Sequence, residues 1–297
     1  MIHQHPLAYL IGLEGVALMR AFAGEYDAAF TQARFDDLRR LLDLEDVLGP
    51  GVDVAPLPVS DGYDGWAATY DGEDNGCFPM RDELLLPMID GLPPGRTLDA
   101  ACGTGAVSRQ LVDRGHEVVG VDASPGMLAH ARSEVPEAAF VLGDLGSLPV
   151  ADGSVDHVVC SLALTHQADL APFFAEAARA MRPGGHLLVL DTRGPFDGSR
   201  FYPLVKRAPD GRVGYVQNHH HGLGDYLRAG LSCGFVVRAC EEAYRPPDTV
   251  YPDERPEPLS PGPPDIWELH AYVAEAANAA RDGQPAVVAW DFELRSS

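Results

Sequence analysis

The feature that most constrains the fold is a regular alternation of short apolar runs and helical patterns between residues 96 and 190. The apolar runs lie at 96–99, 116–121, 139–142, 155–161 and 186–190, and the helical patterns lie at 105–114, 125–133 and 170–181. Short strands separated by helices are typical of βαβ units, in which the strands are parallel and helices cover the sheet. The chain is therefore predicted to be an α/β protein built on a mostly parallel sheet.

The flanking regions have different patterns. Apolar residues recur at helical spacing from residue 7 to 48, and residues 50–80 form a Gly-, Pro- and Asp-rich connector with a short helix near Tyr63–Tyr70. We therefore predict an N-terminal helical lid or substrate-side extension at 1–80, followed by the α/β domain at 81–297. Further elements of that domain are predicted at 225–232 and 265–281 (helices) and at 235–240 and 286–292 (strands). Regularity lapses at 192–222, and the Pro-rich stretch 246–265 cannot supply backbone donors to a sheet, so both are predicted to be irregular substrate-side insertions.

Composition excludes several classes of partner. The 297 residues carry a formal net charge of −22, and Lys206 is the only lysine, whereas a nucleic-acid-binding surface needs clustered Lys and Arg. Five scattered cysteines without a C-x-x-C pair favour neither a disulfide framework nor a zinc site. The N-terminus resembles no secretory leader, and no apolar run is long enough to span a membrane. We expect a soluble cytoplasmic protein with no nucleic-acid, membrane or metal partner.

A glycine-rich turn, Asp99-Ala-Ala-Cys-Gly-Thr-Gly105, follows the first strand of the alternating region. Gly103 and Gly105 permit positive φ and close approach of a ligand to the backbone, at a helix N-terminus where α/β sheets bind ligands. A dinucleotide fingerprint would require Gly or Ala at the position of Ser108. The carboxylate of Asp99 would repel a pyrophosphate, but it would attract the ammonium and sulfonium groups of S-adenosylmethionine.

Two further acids end the next two strands. Asp122 follows the turn by roughly 20 residues, where a carboxylate can accept hydrogen bonds from both ribose hydroxyls. Asp144 is placed to accept a hydrogen bond from the exocyclic amine of adenine. The alternative is that these acids are ordinary helix N-caps, which Asp favours. The three acids at the ends of successive strands favour S-adenosylmethionine as the cofactor.

Five segments together resemble a known family. They are Leu98–Gly105, Val118–Met127, Gly143–Pro149, Val155–His166 and Met181–Val189. Residues 96–192 resemble class I S-adenosylmethionine-dependent methyltransferases, in the group of ubiquinone-biosynthesis and small-molecule enzymes. The resemblance implies a Rossmann-like, seven-stranded, mostly parallel sheet with helices on both faces, whose last strand is antiparallel.

The same resemblance implies the cofactor site. Asp99 and the glycine turn would hold the methionine moiety, Asp122 the ribose, and Asp144 with Leu145 the adenine. The full set expected to bind the cofactor is Tyr70, Asp99, Ala101, Gly103, Gly105, Asp122, Ala123, Met127, Gly143, Asp144, Leu145, Ser161 and Leu162. Tyr70 could also make a cation–π contact with the sulfonium, although packing of its helix on the sheet explains it equally well.

Histidines supply the candidate catalytic bases. His166 directly follows the fourth strand, where it would border both cofactor and substrate, or would only tie down its loop. His219 and His221 would share one face of an extended segment, as a base or an orienting group for an acidic substrate. The alternatives for this triplet are a solvated or loop-packing tract and, least favoured, a metal site.

The sequence thus favours an S-adenosylmethionine-dependent methyltransferase that acts on O, N or C of a small molecule and releases S-adenosylhomocysteine. One alternative keeps the fold and cofactor pocket for other chemistry, as in a cyclase or decarboxylase. Another is a non-enzymatic, cofactor-sensing binding protein. The N-terminal helices would be compatible with a homodimer.

Overall fold

A computed structural model describes residues 1–72, 77–193, 201–244 and 258–296. They divide into two compact units. The first contains residues 1–56 and 258–284, and the second contains 57–72, 77–193, 201–244 and 285–296. Residues 57–72 and 77–80, which the sequence analysis grouped with the N-terminal helices, lie in the second unit, and the helices Ile266–His270 and Ala274–Arg281 near the C-terminus lie in the first.

The helices and strands of the described residues are as follows. The α-helices are α1 (Pro6–Phe22), α2 (Ala28–Asp43), α3 (Glu45–Leu48), α4 (Val59–Trp66), α5 (Phe78–Asp90), α6 (Ala106–Asp113), α7 (Pro125–Glu134), α8 (Ala171–Ala180), α9 (Leu223–Ser232), α10 (Ile266–His270) and α11 (Ala274–Arg281). The strands are β1 (Ile2–Gln4), β2 (Val52–Val54), β3 (Arg96–Ala100), β4 (Glu117–Asp122), β5 (Ala139–Leu142), β6 (His157–Ser161), β7 (His186–Thr192), β8 (Phe201–Arg207), β9 (Val213–His219), β10 (Phe235–Tyr244) and β11 (Pro285–Leu294). Short 3-10 helices lie at Ala67–Thr69, Leu164–His166 and Ala271–Val273.

The first unit is helical with a small antiparallel ribbon of β1 and β2. The apolar side chains that recur along α1, such as Leu10 and Leu13, are fully buried among apolar residues of α2, α10 and α11. Asp27 is the N-cap of α2, and its side chain accepts a hydrogen bond from the backbone N–H of Phe30. The periodicity seen in the sequence therefore reflects burial on one helical face.

The second unit is built on a seven-stranded sheet of order β10-β11-β7-β6-β3-β4-β5. Strands β3 to β7 are parallel to one another, and β11 is antiparallel to both β7 and β10. This confirms the predicted α/β class and the antiparallel closing strand. Alternate residues of β7 face opposite sides: Leu187 and Val189 pack with α8 and α9, whereas Leu188 and Leu190 pack with α5 and α6. Helices therefore cover both faces.

The prediction of an irregular insertion at 192–222 is wrong for most of that range. Strands β8 and β9 form an antiparallel hairpin whose turn is closed by the backbone N–H of Ala208 on the carbonyl of Arg212. Pro203 and the charges near the turn hide the alternation, but a two-stranded ribbon tolerates Pro on its outer edge, and Val216 is fully buried. Residues 194–200 of this insertion, and 246–257 of the second one, lie outside the described residues, whereas 258–265 contain neither helix nor strand.

Candidate functional site

The glycine-rich turn connects β3 to α6 through three positive φ angles. Ala101, Gly103 and Gly105 have φ of 60°, 53° and 89°. A Cβ on Gly103 would meet no atom within 4 Å, whereas one on Gly105 would press on Ala131 and Val135 of the α7 region at 3.2 Å. Gly103 therefore faces open space where a ligand can approach, and Gly105 allows α6 and α7 to pack closely.

A cavity opens beside this turn, at the carboxyl ends of β3, β4 and β6. Its walls include these predicted cofactor residues: Tyr70, Ala101, Gly103, Asp122, Ala123, Met127, Gly143, Asp144, Leu145, Ser161 and Leu162. Asp99 lines a smaller recess that shares Tyr70, Ala101, Gly103, Ser161 and Leu162 with the cavity. Of the predicted set, Gly105 alone is absent from both walls as far as the described residues define them.

Asp99 is buried at the floor of the recess. Ser108 Oγ donates a hydrogen bond to Asp99 Oδ2 at 2.6 Å, so the residue that breaks the dinucleotide fingerprint instead supports this carboxylate. Burial raises the pKa of Asp99 to about 6, although the Ser108 hydrogen bond opposes the shift. A cation in the recess would restore the charged form.

Asp122 and Asp144 hold neighbouring turns while lining the cavity. Asp122 accepts hydrogen bonds from the backbone N–H groups of Gly103 and Ser124, each at 2.8 Å. Burial raises the pKa of Asp122. Asp144 Oδ1 accepts the backbone N–H of Gly146 at 2.7 Å. Each carboxylate oxygen has two lone pairs, so both side chains keep acceptor capacity toward a ligand.

Ser161, at the end of β6, carries an unsatisfied polar atom. Its Oγ is buried and has no hydrogen-bond partner among the described residues, although it lines both the cavity and the recess. The next residue, Leu162, has φ of 57° and is held by its N–H on the carbonyl of Leu190. Buried hydroxyls are normally bonded, so Ser161 points to a missing polar partner in the cavity.

His166 also lines the cavity, and both of its ring nitrogens have hydrogen-bond partners. Nε2 lies 2.7 Å from the hydroxyl of Tyr63 in α4, and Nδ1 lies 3.1 Å from the carbonyl oxygen of Gln217 in β9. Burial lowers the pKa of His166, so the ring is neutral near pH 7.

His219 and His221 occupy other positions. Neither belongs to the described walls of the cavity. His221 is buried, and its Nε2 donates to the carbonyls of Leu164 and Gln167 at 3.2 and 2.9 Å. The His219 carbonyl accepts the Thr165 hydroxyl at 3.2 Å. Both residues thus hold the turn that carries His166.

Two features of the site escaped the sequence analysis. Arg81 of α5 lines the same recess as Asp99, and its guanidinium lies 4.5 Å from the ring centre of Phe78. Asp64 fixes α4 to the start of α7 by accepting the Ser124 hydroxyl and the Gly126 N–H. Both lie before the first predicted strand, where no motif singled them out.

Comparison with known proteins agrees with this geometry. Residues 98–189 match a family model described as a methyltransferase domain. A demethylmenaquinone methyltransferase of Beutenbergia cavernae is 36% identical over 148 residues, which are 48% of this chain and 62% of that relative. Residues 98–189 are therefore a methyltransferase domain, which confirms the resemblance to class I S-adenosylmethionine-dependent methyltransferases.

Other relatives extend the comparison of this methyltransferase domain. The malonyl-[acyl-carrier protein] O-methyltransferase of Serratia marcescens is 40% identical over 132 residues, 44% of this chain and 51% of that relative. The chain thus spans about half to two thirds of these two relatives. The crystal structure of the [4+2]-cyclase SpnF shares the fold with a TM-score of 0.56 and 17% identity, over 83% of this chain and 99% of that one.

Among the described residues, no group of three His, Cys, Asp or Glu side chains could hold a metal ion. Within the same ranges, no helix has the length and apolar character required to cross a membrane.

Proposed function

We propose that this protein transfers a methyl group from S-adenosylmethionine to O, N or C of a small molecule and releases S-adenosylhomocysteine. The observation that carries the proposal is the gathering of Asp99, Asp122 and Asp144 around one cavity beside the glycine turn of a methyltransferase domain. The small-molecule part rests on relatives whose names specify demethylmenaquinone and malonyl-[acyl-carrier protein] methylation, and on the acidic composition of the chain.

The residues present fit this cofactor group by group. The ammonium group of the methionine moiety would pair with the Asp99 carboxylate, and its carboxylate would pair with the Arg81 guanidinium, since both residues line the recess. Asp122 would accept the ribose hydroxyls, and Asp144 the adenine amine, with Leu145 against the ring. The unsatisfied hydroxyl of Ser161 would find a polar partner near the methionine end, between the two compartments.

The chain's own contribution to the reaction is positioning, water exclusion and handling of a proton. When bound, S-adenosylmethionine supplies a methyl carbon whose bond to sulfur breaks as the bond to the acceptor forms. Tyr63 and Leu162 would exclude water from the acceptor end, because both side chains form its walls. His166, neutral near pH 7, would receive the proton of a protic acceptor.

Isothermal titration with S-adenosylmethionine tests the cofactor assignment. Asp122→Asn is expected to weaken binding about 10- to 100-fold, because hydrogen bonds to a charged group contribute about 1.5–3 kcal/mol. The matched control is Asp113→Asn on α6, a half-exposed acid outside the cavity wall, which should leave affinity unchanged. Since Asp122 also holds the turn backbone, Asp144→Asn serves as a second variant: its amide oxygen can keep the Gly146 bond while the other acceptor is lost.

Methyl transfer is tested separately, with methyl-labelled S-adenosylmethionine and fractionated small-molecule extract. Label in a small-molecule product together with S-adenosylhomocysteine supports the proposal. Absence of cofactor binding would contradict the whole assignment. Tight binding without S-adenosylhomocysteine in any fraction would instead indicate that the pocket serves other chemistry.

A further inference from the structure

The Tyr63–His166 contact fixes where protons lie at the acceptor end of the cavity. A carbonyl oxygen can only accept, so the 3.1 Å contact with Gln217 O places the proton of the neutral ring on Nδ1. Nε2 is then the acceptor, and Tyr63 must donate its O–H to Nε2 across 2.7 Å. The direction of both hydrogen bonds follows from chemistry alone.

The contact is held from both sides. α4 carries Tyr63 and is anchored to α7 through Asp64, and the ring of Tyr63 packs edge-on to His166 with centroids 5.2 Å apart. The turn bearing His166 is held by the side chain of His221 and by the carbonyl of His219. Hydrogen bonds from neighbouring residues therefore fix the positions of both Tyr63 and His166.

The arrangement also decides which atom an acceptor can reach. Both ring nitrogens of His166 already have partners, so neither is open to a ligand while the pair is intact. Tyr63 lines the same cavity as His166, and its hydroxyl oxygen keeps lone pairs after donating its proton. The phenolic oxygen is thus the available proton acceptor.

We propose that Tyr63 and His166 form a concerted proton relay, in which Tyr63 Oη takes the acceptor's proton while its own proton passes to His166 Nε2. This inference rests on the proposed methyl transfer and deepens it. It also restricts the substrate to protic acceptors, such as a hydroxyl, an N–H or an acidic C–H group, because an aprotic nucleophile has no proton to deliver.

The relay balances protons and charge. The acceptor loses one proton as it gains the methyl group, Tyr63 ends as a neutral phenol, and His166 becomes an imidazolium. Its Nδ1–H stays bonded to Gln217 O, and the new Nε2–H is bonded to Tyr63 Oη. Burial, His219 and Lys206 all lower the pKa of His166, so the imidazolium returns its proton to water readily. Burial, together with Tyr70, Asp122, Asp191 and Cys77, raises the pKa of Tyr63, so a free phenolate is avoided and the two transfers must be concerted.

Nitrogen-15 NMR of the histidine rings tests the relay without requiring an acceptor. In the protein saturated with S-adenosylmethionine, His166 should be a neutral Nδ1–H tautomer. Its resonances are identified as those that disappear in the His166→Gln variant. Tyr63→Phe should shift the Nε2 resonance and raise the His166 pKa by about 0.5–1 pH unit, because it removes a bond to the neutral form. Cofactor affinity should stay within about twofold.

The chain provides a matched control. Tyr9 in the first unit contacts His270 Nε2 at 3.0 Å, so Tyr9→Phe removes a similar Tyr–His contact between two residues that do not line the cavity. It should move the His270 signal and leave His166 unchanged. A proton on Nε2 of His166, or an Nε2 resonance that Tyr63→Phe does not move, would overturn the relay.

Turnover separates a relay from simple support. With extract fractions that yield S-adenosylhomocysteine, Tyr63→Phe and His166→Gln should each lower turnover about 100-fold, and the double variant should be no slower than the worse single one. Full activity in Tyr63→Phe, or multiplicative losses in the double variant, would refute the relay. If the unmodified protein did not bind S-adenosylmethionine, the proposed function would be refuted instead. Isothermal titration measures that binding independently of turnover.

Discussion

Gly65 provides the sharpest test of how α4 is held over the site. The helix packs on the β8–β9 hairpin through its glycines: a Cβ on Gly65 would overlap the carbonyl oxygen of Arg207 and lie 3.2 Å from the Cα of Ala208. A Cβ on Gly62 would lie 2.6 Å from Val216 Cγ2. Gly65 meets backbone, which cannot rotate away, so it is the less replaceable of the two.

The expected magnitude follows from two opposing effects. Ala in place of Gly stabilises a helix interior by about 1 kcal/mol, but forcing atoms into packed structure costs about 1–3 kcal/mol or more. For Gly65→Ala the overlap is with the main chain, so we expect a net loss of about 1–3 kcal/mol in the free energy of unfolding. Gly12 in α1 is the control: its Cβ would meet nothing within 4 Å, so Gly12→Ala should gain about 0.5–1 kcal/mol.

Urea unfolding followed by circular dichroism measures both variants. The same substitution in two helices should change stability in opposite directions, and Gly65→Ala should also disturb the His166 ring signals because α4 carries Tyr63. If Gly65→Ala were as stable as the unmodified protein, the close contact of α4 with the hairpin would be refuted. A loss in Gly12→Ala would refute the steric reasoning itself.

Two further predictions concern buried titratable groups. Burial raises the pKa of Asp99 from 3.8 to about 6, so above pH 6 the folded state holds a destabilised carboxylate, and the penalty is relieved as pH falls toward 4. Asp99→Asn should therefore raise the free energy of unfolding at pH 7 by about 1–3 kcal/mol in the absence of cofactor and weaken S-adenosylmethionine binding, as thermal unfolding and titration would show; a less stable variant would contradict this. Burial lowers the pKa of His157, whose Nε2 donates to Pro93 O, so below pH 6.5 the unfolded state binds a proton that the folded state resists. Stability should fall on acidification below pH 6.5, and His157→Gln should flatten that slope in urea titrations at several pH values; an unchanged slope would assign it to other groups.

Much of the fold could be predicted because its signals are local. The strands at 96–100 and 186–192 are apolar runs buried on both faces, and the glycine turn and the acids that follow lie at fixed distances along the chain. Those residues meet at one edge because parallel strands end together. Eleven of the thirteen predicted cofactor residues line one cavity for this reason.

The remainder depended on contacts distant in sequence. The hairpin at 201–219 has a weak strand pattern, and Val216 and Gly62 specify it only once they pack together. His221 looked like a base by residue type, but its ring donates to backbone carbonyls 54 and 57 residues away. Arg81 and the Tyr63–His166 pair likewise carry no motif, because their partners are set by tertiary structure.

A crystal structure of the protein with S-adenosylhomocysteine would test directly whether the cavity beside the glycine turn binds the cofactor. We expect the ribose hydroxyls at Asp122, the adenine between Asp144 and Leu145, and the amino-acid end between Asp99 and Arg81. A nucleoside bound elsewhere on the protein, or one reversed in this cavity with adenine at Asp99, would contradict this expectation.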